Sequence, residues 1–260
     1  MVKISAVINI CNEAHLLREC LESIKNFADE IIISDMESND NGVEIANEYG
    51  AKIIKVKKQP FCEATLIDRI NLASGDWILN FDPDMRLPEN TAKKLREIAE
   101  NNLADVVGIS FRNFFIIGWS KFGHGSQKGF VKFFKKSLFL SSQPSFVEIH
   151  GTGRVLEKTP HKKIELPKRY YVYHIAYTDM KKALEQHLRY AHIEAMQRYE
   201  KGEKFSFVKF IYELLKKILK DWIYLKAPLG GLPSMLFSII SEIMIIQIHL
   251  YLWELTYKNE

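Results

Sequence analysis

The sequence predicts an α/β fold with a mostly parallel sheet, followed by a helical C-terminal region. Over the first hundred residues, short apolar runs typical of strands alternate with segments of helical periodicity, and this alternation is typical of βαβ units. After residue 179 only helical patterns remain, at 180–200, about 206–225 and 234–257. The length of 260 residues allows one such domain with an appendage.

The predicted elements follow one another closely. Strands are expected where apolar, β-branched runs occur, and helices where apolar residues recur at helical spacing. The predicted strands cover 4–10, 30–35, 51–56, 77–81 and 106–111, and the helices between them cover 14–26, 40–49, 62–73 and 89 to about 100. From 111 to 173 the pattern changes to short β-like runs, at 129–134 and 169–173, among glycine, serine and proline. That change predicts a substrate-shaping half with long loops.

The bulk composition favours a globular protein of a reducing compartment. Hydrophobic residues make up 47% and charged residues 26% of the chain. The 36 basic and 32 acidic residues leave a net charge of +4, which is too balanced to predict nucleic-acid binding. Cys11, Cys20 and Cys62 form no CxxC motif, so neither a disulfide framework nor a zinc site is expected. The first apolar run is too short for a signal peptide, so we expect a cytoplasmic protein.

Two carboxylates, Asp82 and Asp84, follow the apolar run at 77–81. Ligands of open α/β sheets bind at the carboxyl ends of the strands. Pro83 favours the turn that both side chains need to reach one ligand. Two hard oxygen ligands beside a phosphate site are a common way to hold Mg²⁺ or Mn²⁺ on a nucleoside diphosphate. The pair therefore predicts a nucleotide-activated substrate, with a plain loop of turn-forming residues as the alternative.

Asp35 ends the second predicted strand, at the same edge of the sheet as Asp82. A carboxylate there accepts hydrogen bonds from a base imide or a ribose hydroxyl. Asp40 is a candidate cap of the following helix. A calcium loop that begins at Asp35 is excluded by its spacing, because its sixth position is Asp40 rather than glycine and its twelfth is Ala46 rather than glutamate.

Three more residues are candidates for the nucleotide pocket. Asn12 and Glu13 follow the first strand, where they line the pocket or cap the next helix. Arg69 lies on the helix before Asp82. Its cation either offsets charge on the leaving diphosphate or lies on a solvated helix face.

Several sequence blocks occur in the order found in family 2 glycosyltransferases. They read SAVINICNE at 5–13, LESI at 21–24, EIIISD at 30–35 with SND at 38–40, and LASGDWILNFDPD at 72–84. The last block is similar to the family signature A-x-G-[DE]-[WY]-[IV]-L-x-[LF]-D-x-D. The chain thus resembles that family over residues 3–115, and within it the group that resembles lipopolysaccharide-core β-glucosyltransferases.

The resemblance implies a GT-A fold, which is Rossmann-like, with a nucleoside-diphosphate sugar donor, a divalent metal and an inverting mechanism. By position, Asp35 matches the nucleotide-contacting aspartate, and Asp82 and Asp84 match the Asp-x-Asp motif, in which Asp84 is the direct metal ligand. The expected glycosyltransferase domain covers 1–178, with a nucleotide-sugar half at 1–115 and an acceptor half at 116–178. A C-terminal helical region is expected at 179–260.

The second half carries the candidate metal-binding histidine and the candidate general base. His174 lies in an aromatic segment similar to one in the resembled group, and either completes the metal site or is structural. An inverting transfer needs a base opposite the leaving diphosphate. Glu148 is the first candidate and His150 the second. The chain reads Glu-Ile-His here, which departs from the His-Glu order common in the family. The Gly-Thr-Gly that follows them reads as a plain turn.

The C-terminal third contains a basic, aromatic and amphipathic segment at 206–226 and a mostly apolar one at 234–253. The first pattern is typical of interfacial helices. A membrane span over the second is disfavoured by Glu242, Gln247 and His249. We therefore expect helices that pack on the domain or lie on the inner face of the cell membrane, with a helical dimer interface or core as the alternative. Membrane docking fits a lipid-linked acceptor, and a glycan is the other acceptor class.

Two other functions compete with sugar transfer. A sugar nucleotidyltransferase usually has a glycine-rich basic loop after the first strand, and this chain has none there. A catalytically inactive nucleotide-sugar-binding or membrane-associated scaffold is the non-enzymatic alternative, and the intact Asp82 and Asp84 argue against it.

Overall fold

The computed structural model describes residues 2–120, 122, 130–142 and 152–258. The chain forms two compact units. The N-terminal unit contains Met1–Phe111 and Lys128–His174, and the C-terminal unit contains Arg112–Gln127 and Ile175–Glu260. The domain limits expected from the resemblance stay a prediction.

A mixed sheet is the frame of the N-terminal unit. Its strands are β1 (Ile4–Ile10), β2 (Glu30–Asp35), β3 (Lys52–Lys55), β4 (Trp77–Phe81), β5 (Met85–Arg86), β6 (Val106–Phe115), β8 (Phe130–Lys135), β9 (Lys163–Glu165) and β10 (Tyr171–Tyr177), and β7 (Gly118–Trp119) pairs with the end of β6. The order is β3-β2-β1-β4-β8-β6-β10-β5. β1 to β4 are parallel to one another, whereas β8 is antiparallel to both β4 and β6. The α/β fold class is confirmed.

The helices begin and end close to the predicted residues. They are α1 (Ala14–Ile24), α2 (Gly42–Glu48), a 3₁₀ turn (Cys62–Thr65) that runs into α3 (Leu66–Leu72), α4 (Glu89–Glu100), α5 (Lys136–Ser141), α6 (Thr152–Glu157), α7 (Met180–Glu200), α8 (Phe207–Ile218), a π-helical segment (Leu219–Tyr224), a 3₁₀ turn (Ala227–Gly230) and α9 (Gly231–Lys258). Alternate residues of β1 point to opposite faces of the sheet, and each face is covered. Ile8 packs in a core that α1, α2 and α4 share, and Val7 packs in a second core with α3, α5 and α6.

Some sequence predictions are wrong in detail. β6 extends to Phe115 rather than 111, because the polar Ser110 and Asn113 are buried within it and interrupt the apolar run that marks a strand. The predicted turn at 151–153 is wrong from Thr152 onward, because α6 begins there and buries Val155 and Leu156 in the second core.

In the described part of the C-terminal unit, α7 and α8 pack against α9. Small residues let α7 approach it closely, because Ala191 and Ala195 pack on Ile248 and Leu252. Polar side chains also meet inside, where Glu213 of α8 accepts a hydrogen bond from Arg198 at 3.0 Å and lies 3.1 Å from His249 Nε2. Among the described residues, one helical stretch, Ala227–Lys258, is long and apolar enough to cross a membrane by length and composition.

Candidate active site

Three neighbouring strands of the N-terminal unit end at one edge of the sheet. β1 lies between β2 and β4, and the register pairs Ile10 with Asp35 and Ile8 with Phe81. Asp82 therefore begins the loop after β4 one residue beyond this pairing. The expected common edge for Asp35 and Asp82 is confirmed, and it is the edge where parallel sheets bind ligands.

The segment Asp82-Pro83-Asp84 is a tight turn whose backbone is hydrogen-bonded to Arg86. The Met85 amide donates to the Asp82 carbonyl at 2.9 Å, which closes the turn around Pro83. The Arg86 guanidinium donates to the carbonyls of Pro83 at 2.7 Å and Leu16 at 2.9 Å. Because Leu16 belongs to α1, Arg86 ties the turn to that helix, and both carboxylates start from a fixed backbone.

His174 meets Asp84 across the pairing of β10 with β5. The register places His174 opposite Met85, and the His174 Nε2 lies 3.1 Å from Asp84 Oδ2. Burial alone would lower the pKa of His174, but the Asp84 carboxylate outweighs it and raises the pKa above its usual range. The other oxygen, Asp84 Oδ1, is buried and accepts no hydrogen bond from any residue that the structure describes.

Asp82 is paired with a lysine that the sequence pattern did not single out. Lys132 of β8 lies with its Nζ 2.6 Å from Asp82 Oδ2. Burial alone would raise the pKa of Asp82, but the ammonium of Lys132 outweighs it and lowers the pKa. The pKa of Lys132 is raised in turn, because the attraction of Asp82 exceeds the effect of burial. Both side chains are therefore charged at neutral pH.

Glu13 lies in the field of these carboxylates. Burial and the negative charge of Asp84 raise its pKa from 4.5 to about 8, and Asp82 and Asp40 add to the shift. Its Oε2 accepts a hydrogen bond from the Cys11 amide at 3.3 Å, which opposes the shift. Glu13 occupies the N-cap position of α1 but makes no side-chain capping hydrogen bond. Burial beside two other carboxylates makes this a site that favours a cation.

The loops after β1 and β2 are joined by their own side chains. Asn12, with a positive φ of 59°, accepts a hydrogen bond from the Asn39 amide at 2.7 Å. Asp40 accepts from the Ala14 amide at 2.8 Å and from the Gly42 amide at 3.1 Å. Asp40 therefore satisfies the first amides of both α1 and α2. The alternative role of Asn12 as the helix cap is wrong, while its place in a nucleotide pocket stays a prediction.

Asp35 is 4% exposed, and its Oδ1 accepts a hydrogen bond from the Ser38 amide at 3.0 Å. This bond fixes the side chain at the end of β2. Contact between Asp35 and a nucleoside stays a prediction.

Arg69 is buried in a polar cluster between α3 and the first two strands. Its Nη1 donates to Ser34 Oγ at 2.6 Å, Thr65 Oγ1 at 2.7 Å and Asn9 Oδ1 at 3.2 Å. Burial lowers its pKa, while Cys62 and Asp82 act in the opposite direction. The solvated helix face considered as its alternative is wrong, because Arg69 is 2% exposed. Its role toward a diphosphate stays a prediction.

The donor set fits a hard divalent cation that is shared with a ligand. Asp84 Oδ1 is a buried carboxylate oxygen without a hydrogen-bond donor among the described residues, and the charge of Asp84 raises the pKa values of both Glu13 and His174. Among the described residues, no three His, Cys, Asp or Glu side chains are grouped to hold a metal by themselves. Mg²⁺ commonly uses one or two carboxylates with substrate phosphates and water. The set therefore suits a metal–phosphate complex better than an all-protein cage.

The sequence of this chain matches one protein family over more than half its length. The model described as "Glycosyl transferase family 2" matches residues 5–165. The chain belongs to glycosyl transferase family 2. The predicted family and enzyme class are confirmed at this level, while the narrower resemblance to the lipopolysaccharide-core group stays a prediction.

Two relatives of this family 2 chain each match about two fifths of its length. An uncharacterized glycosyltransferase from Rickettsia felis is 36% identical over 111 residues, which cover 40% of this chain and 37% of the relative. A dolichol-phosphate mannosyltransferase from Pyrococcus furiosus is 28% identical over 115 residues, covering 41% of this chain and 33% of the relative. The match thus spans about a third of the length of either relative.

A solved structure extends the likeness in fold over nearly the whole chain. The mannosyltransferase PcManGT from Pyrobaculum calidifontis, in complex with GDP-Man and Mn²⁺, has a TM-score of 0.60 and 13% identity, and the match covers 97% of this chain and 88% of that one. At this identity the likeness shows the fold alone, and it confirms the GT-A class expected for this family 2 chain.

The sequence pattern did not indicate two residues of the site. Two candidate residues lie in the part of the chain that the structure does not describe. Lys132 pairs with the Asp82 side chain and Arg86 donates to the Pro83 carbonyl. Their signals in the sequence are one of two lysines within an aromatic strand and an arginine two residues after Asp84. Glu148 and His150, the candidate bases, lie outside the described residues.

Proposed function

We propose that the chain transfers a sugar, with inversion at the anomeric carbon, from a nucleoside-diphosphate sugar to a glycan or lipid-linked acceptor. The observation that carries the proposal is the pair Asp82 and Asp84 at the carboxyl edge of β4, where Asp84 Oδ1 is buried and has no hydrogen-bond donor within the described part of the chain. A carboxylate in this state is stabilised by a cation, and a cation beside a sheet edge is how diphosphates are commonly held.

Mg²⁺ or Mn²⁺ is the proposed cofactor, and Asp82, Asp84 and His174 are its proposed ligands. Support comes from the donor set and from the Mn²⁺ complex of PcManGT. The bound ion supplies Lewis acidity, which stabilises the negative charge of the departing diphosphate. His174 has to release its proton before its nitrogen becomes a ligand.

The remaining donor contacts are proposed for residues around the same edge. Asp35 accepts from the nucleoside, and Asn12 and Glu13 line its pocket. Lys132 and Arg69 supply positive charge toward the diphosphate, Lys132 by direct contact and Arg69 through the protein. Support for Lys132 is its place 2.6 Å from Asp82 Oδ2, where its ammonium already serves one anionic group.

The acceptor side of the proposal depends on a base. The acceptor hydroxyl oxygen bonds to the anomeric carbon, the bond from that carbon to the diphosphate oxygen breaks, and the base takes the hydroxyl proton. Glu148 is the first proposed base and His150 the second. A lipid-linked acceptor is supported by the Pyrococcus furiosus relative, which is a dolichol-phosphate mannosyltransferase. With it we propose a cytoplasmic protein in peripheral contact with the inner face of the cell membrane.

The test is thermal unfolding with nucleoside diphosphates and their sugars, with and without Mn²⁺. A ligand that binds only the folded chain raises the Tm according to RT ln(1 + [L]/Kd). We expect a Mn²⁺-dependent shift with one nucleotide class, absent in Asp84→Asn. Asp76→Asn is the matched control, because Asp76 is exposed and precedes β4, at the opposite end of the strand from Asp82. No shift with any nucleotide in the parent chain contradicts the proposal.

A further inference from the structure

The α8 segment of the C-terminal unit is amphipathic with its apolar side outward. Seven apolar or aromatic side chains of α8 and the following π-helical segment are each more than half exposed, namely Phe207, Val208, Tyr212, Leu215, Leu219, Ile223 and Tyr224. These seven residues are the α8 surface. α8 itself has no buried residue. In water such a surface is unfavourable, and contiguous apolar patches of this kind mark interaction sites.

The inner side of the same segment is polar and already bonded. Glu213 accepts from Arg198 at 3.0 Å and lies 3.1 Å from His249 Nε2. Lys217 contacts the fully buried Asp221 and donates to Ser241 Oγ at 2.8 Å. Glu213 and Lys217 of α8 therefore face α7 and α9, and the apolar residues of α8 are left for another partner.

Lysines border the α8 surface. At 3.6 residues per turn, Phe207, Val208, Tyr212 and Leu215 fall within an arc of about 140°, and Lys209 and Lys216 lie beside its edge. Lys204, Lys216, Lys220 and Lys226 are exposed, and so is Lys209, which pairs with Glu203 at 2.9 Å. The two acidic residues between Lys204 and Lys226, Glu213 and Asp221, face inward. The exposed charge is therefore positive, beside apolar and aromatic groups.

We infer that the α8 surface lies on an anionic lipid bilayer, parallel to its plane. Apolar and aromatic side chains enter the boundary between headgroups and acyl chains, and lysines contact anionic headgroups. A two-fold symmetric contact with a second copy of the chain would bring the same lysines of both copies together. Their like charges would repel, so this contact is unfavourable. The proposed function includes contact with a membrane, and the inference names the surface that makes this contact. Only the biological purpose of the contact rests on the proposed function.

The experiment is co-sedimentation of the full chain with vesicles of phosphatidylcholine, alone or mixed with phosphatidylglycerol, at low and high salt. We expect recovery with the anionic vesicles at low salt, weaker binding to neutral vesicles, and release by salt. Lys216→Glu with Lys220→Glu is expected to weaken partition onto anionic vesicles at least roughly 30-fold, because two lysines no longer attract the anionic headgroups. The control, Lys25→Glu with Lys93→Glu, changes the net charge equally on α1 and α4 of the other unit.

A second pair of variants tests the apolar part. Leu215→Ser with Ile223→Ser is expected to lower binding to both kinds of vesicle, and sedimentation velocity reports whether the parent chain is a dimer that these changes dissociate. The inference would be overturned if these changes dissociated a dimer. It would also be overturned if the two charge variants lost vesicle binding equally, or if the parent chain stayed entirely in the supernatant at low salt. Asp84→Asn is expected to bind vesicles like the parent, so failure of the proposed sugar transfer stays distinguishable.

Discussion

Lys132 Nζ lies 2.6 Å from Asp82 Oδ2, joining β8 to the first carboxylate of the Asp-x-Asp turn. The two side chains are mostly buried, with 17% and 26% of their surface exposed. A buried ion pair is sensitive to the loss of either partner, because the remaining charge is left without compensation. The lysine thus holds in place a carboxylate that is also proposed to serve a metal ion.

Lys132→Met is expected to lower the free energy of unfolding by about 3 kcal/mol, because Asp82 keeps its charge without a nearby ammonium. Mn²⁺ is expected to restore part of this loss by replacing the missing cation. Urea unfolding with and without Mn²⁺ measures both effects. Lys135→Met is the matched control, since Lys135 lies three residues further along β8 and pairs with Asp105 at 2.7 Å. If Mn²⁺ stabilised the parent and Lys132→Met equally, the ion would not be replacing the lost ammonium at Asp82, which would contradict the prediction.

Glu13→Gln is expected to stabilise the metal-free protein at alkaline pH. The folded-state pKa of Glu13, about 8, exceeds its ordinary value of 4.5. The folded state therefore holds more protons than the unfolded state between these values, and its stability falls as the pH rises through this window. The advantage of the glutamine variant should grow from pH 5 to pH 8 and reach a few kcal/mol, on the order of 1.4 kcal/mol for each unit of pKa.

Denaturant unfolding at a series of pH values checks this, with Glu44→Gln on the exposed part of α2 as the control. Added Mn²⁺ should reduce the advantage, because a cation near Asp84 lowers the pKa of a neighbouring carboxyl. An advantage of Glu13→Gln that is constant across the pH range would contradict the assigned cause.

Much of this site was predictable because its strands are continuous apolar runs. The residues that end them, Asp35 and Asp82, could be placed at one edge from the alternation of strands and helices alone, and the register confirms it. α7 also begins and ends at the predicted residues, 180 and 200, where periodicity is uninterrupted. Local patterns with one dominant period fix both the type and the position of such elements.

The interactions that hold the site could not be predicted in the same way. Lys132 and Asp82 are 50 residues apart in sequence, and nothing local to either one encodes their pairing. A solvated helix face stayed open as an alternative for Arg69, because helix periodicity alone does not reveal the hydroxyl and amide acceptors that neighbouring strands supply. β6 was underestimated because buried polar residues carry no strand signal. Buried polar pairs depend on tertiary structure, which the one-dimensional pattern does not contain.

Glu30→Gln is expected to destabilise the N-terminal unit near neutral pH but not at low pH. Burial alone would raise the pKa of Glu30, but hydrogen bonds from Ser5, Lys52 and Ser74 lower it to about 2. The stabilisation is therefore fully present above the ordinary value of 4.5 and is lost as the pH falls toward 2. At pH 7 the expected loss is about 1–2 kcal/mol, which is the free energy of the pKa shift reduced for the solvent that screens this surface ion pair.

Unfolding of Glu30→Gln at pH 7 and pH 3 measures this difference, and Glu100→Gln, at the exposed end of α4, is the control. A loss of equal size at both pH values would show that the shape of the side chain matters and its charge does not.

Arg69→Lys and Arg69→Met together separate the structural role of this cation from its proposed effect on the donor. Both changes remove hydrogen bonds to Ser34, Thr65 and Asn9, so both are expected to lower the free energy of unfolding by about 2–4 kcal/mol. Lysine keeps the positive charge near the sheet edge, whereas methionine removes it.

If that charge acts on the diphosphate, Arg69→Met should bind a nucleoside diphosphate roughly tenfold more weakly than Arg69→Lys, as expected for a charge acting across several ångströms of protein. The affinity for the corresponding nucleoside should be the same in both variants, because a neutral ligand does not sense the charge. Isothermal titration calorimetry at a temperature where both variants are folded makes the comparison, and equal diphosphate affinities would assign Arg69 to the framework of β1, β2 and α3 alone.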